Sequence, residues 1–179
     1  EAVELAAALP GRQVVMLAVG FETTACTVAA ALLADPPDSF SVISSHRLIP
    51  PALEALLQID DLRTDGFLLP GHVLTVAGLD PYEPIAASCG RPMVTGGFEP
   101  LDIVFGLSRL VALRDRGVTD NAYRRAARAA GNPRAVAAMD QAFEVCDASW
   151  RGLGVIPRSG LGLSPALRRH DAVARFGLT

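Results

Sequence analysis

The sequence predicts an α/β fold with an open, mainly parallel sheet of four to five strands and helices on both faces. Short apolar runs alternate with helical patterns along the chain, which is typical of strand–helix–strand units. A length of 179 residues, half of them hydrophobic, suits one domain with a well-formed core. The continuous apolar run at residues 14–19, VVMLAV, is typical of a strand buried on both faces.

Each predicted strand is followed by a turn and a helix. The predicted strands are residues 14–19, 40–44, 66–69 and 92–95. The predicted helices are residues 23–34, 52–58, a short one from residue 73, 80–88 and 101–116. Thr23 or Thr24 is suited to cap the first of these helices, and Pro50 or Pro51 is suited to begin the second.

The pattern changes after Gly117, and this change defines the predicted domain organisation. Two helices, one short strand, a Gly-rich irregular stretch and a terminal helix or tail are predicted at residues 121–130, 133–142, 143–145, 150–162 and 165–174. We therefore predict a core domain at residues 1–117 that carries the strand-end motifs. Residues 118–179 form a helical and irregular extension packed on that same domain.

Composition excludes several classes of function. All 16 basic residues are arginines, so neither a phosphate-binding P-loop lysine nor a Schiff-base lysine is available. The net charge of −3 argues against a nucleic-acid partner, because such domains usually concentrate positive charge. No apolar run approaches the ~20 residues that span a bilayer, so we expect no membrane association.

Cysteine usage predicts a reducing compartment, which we interpret as the cytoplasm. Cys26, Cys89 and Cys146 are far apart, odd in number and contain no CxxC pair, so neither a disulfide framework nor a cysteine-only metal site is expected. Cys26 lies in the first turn of a predicted helix, where a thiol can become reactive. A small buried side chain in an Ala-rich helix is the alternative interpretation of Cys26.

Four polar segments follow the four predicted strands. They are Gly20-Phe21-Glu22-Thr23-Thr24, Ser45-His46-Arg47, Pro70-Gly71-His72-Val73 and Gly96-Gly97-Phe98-Glu99-Pro100. Because the carboxyl ends of parallel strands meet at one edge of a sheet, we expect these segments to line one ligand-binding cleft. His72, Glu99 and Glu22 are the candidate catalytic residues, since imidazole and carboxylate groups exchange protons near neutral pH.

Each segment also has a purely structural interpretation. The glycines allow tight strand-to-helix turns, and Glu22 and Glu99 suit the positive ends of helix dipoles. A metal site with nitrogen and oxygen ligands from His46, His72, Glu22 and Glu99 is a further alternative. No two of these four residues have a diagnostic ligand spacing, so we predict no metal site in this chain.

Six ordered motifs resemble one protein family. The motifs are GFETT (residues 20–24), SHRLIPPAL (45–53), LPGHV (69–73), GFEPLD (97–102), NAYRRAARAAGN (121–132) and WRGLGVIPRSGLGL (150–163). In this order they resemble HypD, the family of nickel–iron hydrogenase maturation (expression/formation) proteins, and they cover nearly the whole chain. The match is to its central or second α/β domain.

This resemblance implies a cytoplasmic scaffold protein whose first two α/β domains face each other across a cleft. With a HypC-type chaperone and a HypE-type cyanide donor, such a protein assembles the Fe(CN)2CO unit of the hydrogenase. By motif match, the cleft residues here are Glu22, Thr23, Thr24, His72, Glu99 and Pro100, so the chain would form one wall of the cleft.

The resemblance also implies iron and a four-iron–four-sulfur cluster for the full-length family member. The family's iron-contacting and cluster cysteines have no counterpart here, and Cys26 stands where proline is expected. We therefore expect those cysteines before Glu1 or after Thr179, and no cofactor bound by this chain itself. The start at Glu1 is interpreted in the same way, as that of a piece of a longer protein.

Three functions remain open from the sequence. The first is a maturation scaffold with a redox-assisted assembly role, for which enzymatic turnover is uncertain. The second is a free-standing small-molecule enzyme that uses His72 and Glu99 as acid and base at the sheet edge. The third is a pure interaction module.

Overall fold

The computed structural model describes residues 1–178, and the chain divides into two compact units. The first unit contains residues 1–49 and the segment from Ala137 to the C-terminus, and the second contains residues 50–136. The boundary predicted between residues 117 and 118 lies inside the second unit. Each unit has its own sheet.

Helices and strands alternate along most of the chain. The helices are α1 (Ala2–Ala8), α2 (Glu22–Leu33), α3 (Ile49–Leu57), α4 (Gly71–Ala77), α5 (Glu83–Cys89), α6 (Pro100–Ala112), α7 (Pro133–Ala142) and α8 (Ala172–Phe176). The strands are β1 (Val14–Gly20), β2 (Phe40–Arg47), β3 (Phe67–Pro70), β4 (Met93–Gly96), β5 (Thr119–Asn121), β6 (Phe143–Trp150) and β7 (Gly154–Leu163). Short 3₁₀ helices cover Asp80–Tyr82 and Pro165–His170.

The first unit contains a four-stranded sheet in the order β1-β2-β7-β6. Strands β1 and β2 are parallel, whereas β7 is antiparallel to both β2 and β6. The core lies on one face of this sheet, where Phe40 and Val42 of β2 cluster with Ala25 and Ala29 of α2. Small side chains at these α2 positions let the helix approach the sheet closely.

The second unit contains a three-stranded parallel sheet in the order β3-β4-β5. Met93 and Val94 of β4 are fully buried, and so is Leu74 of α4. Helix α6 approaches β3 closely at Gly106, where a Cβ atom would lie 2.7 Å from Leu68 Cδ1. This close approach sets the position of the α6 N-terminus, which begins at the end of β4.

The predicted α/β class is confirmed, and the pairs β1–β2, β3–β4 and β4–β5 are parallel. The strands are divided between two sheets, however, where one sheet was predicted. Residues 14–19 were also expected to be buried on both faces, which is wrong for this chain, because Leu17 is 69% exposed. Within residues 1–178, every helix is too short or too polar to cross a membrane.

Two predictions for the C-terminal third are also wrong. Residues 121–130 form no helix, because the Asn121 side chain accepts a hydrogen bond from Tyr123 N and donates one to Ala127 O, which favours a turn. Residues 150–162 are not irregular but belong largely to the β6–β7 hairpin. Gly152 and Gly154 have φ angles of 83° and 78°, which the tight connection requires.

Candidate functional site

In the first unit, the GFETT segment lies where β1 passes into α2. Gly20 has a φ of 139°, and a Cβ atom there would overlap the Thr24 hydroxyl, so only glycine fits this turn. The helix begins at Glu22 with Phe21 as its N-cap, and no side chain caps it. Thr24 instead donates its hydroxyl hydrogen to Phe21 O at 3.0 Å, so the predicted capping role of Thr23 or Thr24 is wrong.

Glu22 is a buried carboxylic acid at the start of α2, with only 3% of its surface exposed. Its Oε1 atom accepts a hydrogen bond of 3.2 Å from Ile49 N, while its buried Oε2 atom has no hydrogen-bond partner. Burial raises the pKa of Glu22, and hydrogen bonds from the backbone N–H groups of Glu22 and Ile49 partly oppose this rise. The side chain therefore joins the first turn of α2 to the chain after β2.

His46 lies opposite Gly20 in the parallel β1–β2 register and is fully buried. The Ser44 hydroxyl donates a hydrogen bond to Leu161 O at 2.6 Å, so its oxygen can accept a hydrogen bond from His46 Nδ1–H at 3.3 Å. This assigns the neutral tautomer with hydrogen on Nδ1. The buried Nε2 atom then carries a free lone pair and has no hydrogen-bond partner.

The environment of the His46 ring favours its neutral form. The ring makes an edge contact with Phe143, with centroids 5.6 Å apart. Burial lowers the pKa of His46, and the positive charge of Arg47 lowers it further. The first unit therefore holds two buried ionisable side chains at its parallel strand ends, each with one unpaired polar atom.

The β6–β7 hairpin contacts these strand ends through residues that were not predicted as site residues. Trp150 lies 6.3 Å from Phe21 between ring centroids, and its indole N–H donates to Ser159 Oγ at 2.8 Å. Arg47 donates a hydrogen bond to Ser149 O at 3.1 Å. The WRGLGVIPRSGLGL motif (residues 150–163), which contains both Trp150 and Ser159, was the available sequence signal for this region.

In the second unit, the PGHV and GFEP segments are neighbours because Pro70 pairs with Gly96 in the β3–β4 register. Gly71 begins α4, and a Cβ atom there would lie 2.6 Å from the Tyr123 ring. His72 is exposed and its ring lies against that of Phe98, with centroids 4.2 Å apart and planes tilted by 39°. Val73 is buried beneath them.

The loop from Gly97 to Pro100 is supported by an ion pair between a buried carboxylate, Asp102, and a half-exposed guanidinium, Arg125. Asp102 is 8% exposed, and both of its carboxylate oxygens accept hydrogen bonds from the guanidinium of Arg125. Arg125 also lies 3.5 Å from the Glu99 carboxylate and 4.6 Å from the centre of the Tyr123 ring. A Cβ atom on Gly97 would lie 2.7 Å from Tyr123 Cε2, so a side chain cannot be added there without displacing this support.

The charge of Asp102 is stabilised by its neighbours. The hydrogen bonds from Arg125 lower the pKa of Asp102, and although partial burial raises it, the charge of Arg125 and the Glu99 backbone N–H lower it again. Arg125 and Tyr123 were not predicted as site residues. Their sequence signal is the NAYRRAARAAGN motif, which was interpreted as a helix and as part of the resemblance.

The four predicted segments thus lie at two sheet edges, two segments in each unit. Pro100 begins α6 beside Glu99, and both are exposed. Residues 1–178 contain no group of three or more His, Cys, Asp or Glu side chains that could hold a metal ion. Cys26 is partly buried and donates to Thr23 O at 3.2 Å, whereas Cys146 is exposed.

A family model described as "Hydrogenase formation hypA family" (HypD) matches residues 1–179. The chain belongs to the HypD family. It is 40% identical over 190 residues to the "Hydrogenase maturation factor HypD2" of Bradyrhizobium diazoefficiens, which covers 99% of this chain and 50% of that protein. This confirms the resemblance that the six motifs indicated.

Two further HypD relatives match this chain with similar identity and coverage. The chain is 40% identical to the HypD of Rhodobacter capsulatus, over 99% of this chain and 49% of the relative. It is 42% identical to the HypD of Escherichia coli, over 98% of this chain and 49% of the relative. The chain therefore spans about half the length of the curated HypD relatives it matches.

Proposed function

We propose that this chain is part of a scaffold that assembles the Fe(CN)2CO unit of nickel–iron hydrogenases, together with a HypC-type chaperone and a HypE-type cyanide donor. Membership of the HypD family and relatives named hydrogenase maturation factors support a role in maturation. In this proposal, iron is the cargo that is assembled, and the chain contributes one wall of the HypD cleft in the cytoplasm.

The strand ends of the second unit carry this proposal. His72, Phe98 and Glu99 are exposed there, while the Asp102–Arg125 pair holds the segment beneath them in place. Exposed polar and aromatic side chains on a rigid base are suited to bind a partner or a cargo with little loss of conformational freedom. In the proposed role, His72 donates or relays a proton near the iron ligands, and Glu99 accepts hydrogen bonds.

The strand ends of the first unit supply positioning. Glu22 is buried and accepts a hydrogen bond from Ile49 N, so it orients the segment after β2 without reaching a large cargo directly. His46 is fully buried below the same edge. We assign the turn from Gly20 to Thr24 the role of holding this loop in position for the scaffold.

A four-iron–four-sulfur cluster does not fit the residues of this chain. Such a cluster is held by four cysteine thiolates, and the chain contains three cysteines. Among the described residues these cysteines belong to no metal-holding group. The proposed role of this chain is therefore free of any step through a cluster.

The test compares variants of the gene product that carries this sequence, in a host whose hydrogenase activity depends on it. We expect His72→Ala and Glu99→Gln to lower hydrogenase activity by roughly tenfold or more. The matched control is Glu83→Gln, because Glu83 is also exposed, also lies at the N-terminal end of a helix of the second unit and is also followed by proline. Co-purification with the HypC-type chaperone is measured in parallel.

The outcomes separate the three functions. Full hydrogenase activity in both His72→Ala and Glu99→Gln overturns the site assignment. Loss of chaperone binding with retained iron loading favours the pure interaction module, and turnover of a small-molecule substrate by this chain alone favours the free-standing enzyme. The geometry favours the scaffold over a free-standing acid–base enzyme, because the Glu99 carboxylate is paired with Arg125. This pairing uses part of the carboxylate's hydrogen-bonding capacity.

A further inference from the structure

Strand β1 is an edge strand with an apolar outer face. It is the first strand in the order β1-β2-β7-β6, so among residues 1–178 it pairs with β2 alone. Alternate side chains on one face are exposed: Val15 by 40%, Leu17 by 69% and Val19 by 64%. On the other face, Met16 and Ala18 pack against the core.

The backbone of β1 also has a free side. Val14 N donates to Ser39 O at 2.8 Å, so Val14, Met16 and Ala18 direct their backbone groups toward β2. The intervening residues Val15, Leu17 and Val19 therefore direct their N–H and C=O groups away from β2. One of these groups, Val19 O, lies 3.4 Å from the Thr24 hydroxyl.

An exposed strand of this kind lacks the usual protection of sheet edges. Natural edge strands carry charges, prolines or bulges that prevent further pairing, and β1 has none of these between Val14 and Gly20. Parallel strands are also normally covered on both faces. The sequence VVMLAVG thus has the composition of an interior strand, although in this chain it lies at an edge.

We propose that β1 is an interior strand of a larger sheet in the assembled HypD protein. Its free edge and its outer face at Val15, Leu17 and Val19 are covered by a strand followed by a helix, supplied by the part of a HypD polypeptide that this chain does not match. This inference depends on family membership and not on the function proposed above.

The length of the relatives supports this occupant. The chain spans about half of the HypD relatives, and one strand–helix–strand unit needs only about 30 residues. A HypD polypeptide of that length therefore contains enough further residues to extend the sheet. A right-handed crossover would place its helix on one face of the sheet while its strand pairs with the edge.

A second copy of this chain would cover the free edge of β1 but would leave its outer face exposed. Two β1 strands that pair antiparallel are related by a two-fold axis perpendicular to the sheet. Both copies would then present Val15, Leu17 and Val19 on the same face, and that face would remain bare. A strand with its own helix covers the edge and the face together.

Hydrogen exchange on the gene product that carries this sequence tests the proposal. We expect the amides of Val15, Leu17 and Val19 to exchange at least about 100-fold more slowly than exposed amides, and as slowly as those of Met16 and Ala18. Fast exchange at the three outward amides overturns the proposal. Protection that appears only as protein concentration rises overturns it as well, in favour of a second copy.

A matched pair of variants tests the covered face. Leu17→Asp is compared with Val155→Asp, because Leu17 and Val155 are 69% and 67% exposed on strands of the same sheet. We expect Leu17→Asp to lower the urea midpoint of the Trp150 fluorescence transition in this gene product, while Val155→Asp leaves it unchanged. Equal midpoints for the two variants contradict the covered face. If Leu17→Asp does not fold, the wild-type exchange measurement decides alone.

Discussion

The two units present polar side chains at the ends of parallel strands in opposite ways. In the first unit, Glu22 and His46 are buried, and each keeps one polar atom without a hydrogen-bond partner. In the second unit, His72 and Glu99 are exposed, and Glu99 lies within 3.5 Å of Arg125. Both pairs of segments are neighbours in a parallel register.

This difference shows that polar segments at the carboxyl ends of parallel strands can form two kinds of site. Where the edge is covered, loss of water controls protonation, as the raised pKa of Glu22 and the lowered pKa of His46 show. Where the edge is open, neighbouring charges control protonation, as Arg125 does for the lowered pKa of Asp102. The first arrangement favours a positioning role and the second favours contact with a partner or cargo.

Separate optical probes allow the two units to be followed independently. Trp150 is the single tryptophan and lies in the first unit, whereas both tyrosines, Tyr82 and Tyr123, lie in the second. Tryptophan fluorescence therefore reports unfolding of the first unit, and the near-ultraviolet signal of tyrosine reports unfolding of the second.

The largest effect is expected for Gly97→Ala, which tests whether the open edge of the second unit has a rigid base. The added Cβ atom would overlap Asp102 and lie 2.7 Å from Tyr123, so we expect a loss of about 2–3 kcal/mol in the free energy of unfolding. The tyrosine transition in urea measures this loss. Gly162→Ala of the first unit is the control and is followed by the Trp150 transition, since its Cβ atom would meet Cys146 Sγ at an ordinary 3.7 Å. Equal stability of the two variants would show that Asp102 and Tyr123 can shift to make room for the added methyl group.

Glu22→Gln should have the second-largest effect and should stabilise the first unit at neutral pH. Glutamine keeps the acceptor for Ile49 N and removes a buried charge, so we expect a gain of about 1–2 kcal/mol in the Trp150 transition. Because the pKa of Glu22 is raised above its ordinary 4.5, wild-type stability from this group is present below that pH and is lost as pH rises through the raised pKa.

The difference between wild type and Glu22→Gln isolates this carboxyl from the titration of His46. The two proteins should therefore have similar stability in acid and diverge as pH rises. A stabilised variant with reduced hydrogenase maturation would show that the buried acid has a functional role. A destabilised variant would contradict the account of Glu22 as a carboxyl whose charged form is disfavoured by burial.

Arg125→Met should have a smaller effect at neutral pH, because Arg125 is half exposed and water can partly replace it beside Asp102. The main change is in the acid limb of the stability profile. The pKa of Asp102 is lowered below its ordinary 3.8, so the stability it contributes is present above that pH and is lost as pH falls through the lowered pKa. The variant should lose this dependence in the tyrosine transition, and an unchanged acid limb would contradict the pairing.

The smallest change in stability is expected for Phe98→Ala. Phe98 is 56% exposed, so we expect a change below about 0.5 kcal/mol. Maturation activity should nevertheless fall, because the ring lies against His72 at 4.2 Å. Phe105→Ala is the matched control, since Phe105 is 52% exposed in the same unit. Equal maturation activity of the two variants would remove Phe98 from the site.

Local patterns allowed much of the fold to be predicted. Three of the four segments begin at the last residue of a strand, close to the predicted places, since apolar runs and Gly–Pro turns are encoded over a few neighbouring residues. The fourth segment, Ser45-His46-Arg47, was predicted to follow a strand but forms the last three residues of β2. The errors occur where a distant contact overrides the local pattern. The turn at Asn121 and the hairpin with its Trp150–Ser159 hydrogen bond are two such cases.

The sequence alone established the α/β class, the four strand-end motifs and membership of the HypD family, because these are properties of residue order. The division of the strands into two sheets, the burial of Glu22 and His46 and the support of Glu99 by Arg125 emerged only in three dimensions. Burial and ion pairing depend on residues that are far apart in the chain. Arg125, for example, reaches Asp102 across 23 positions, a distance at which local patterns contain no signal.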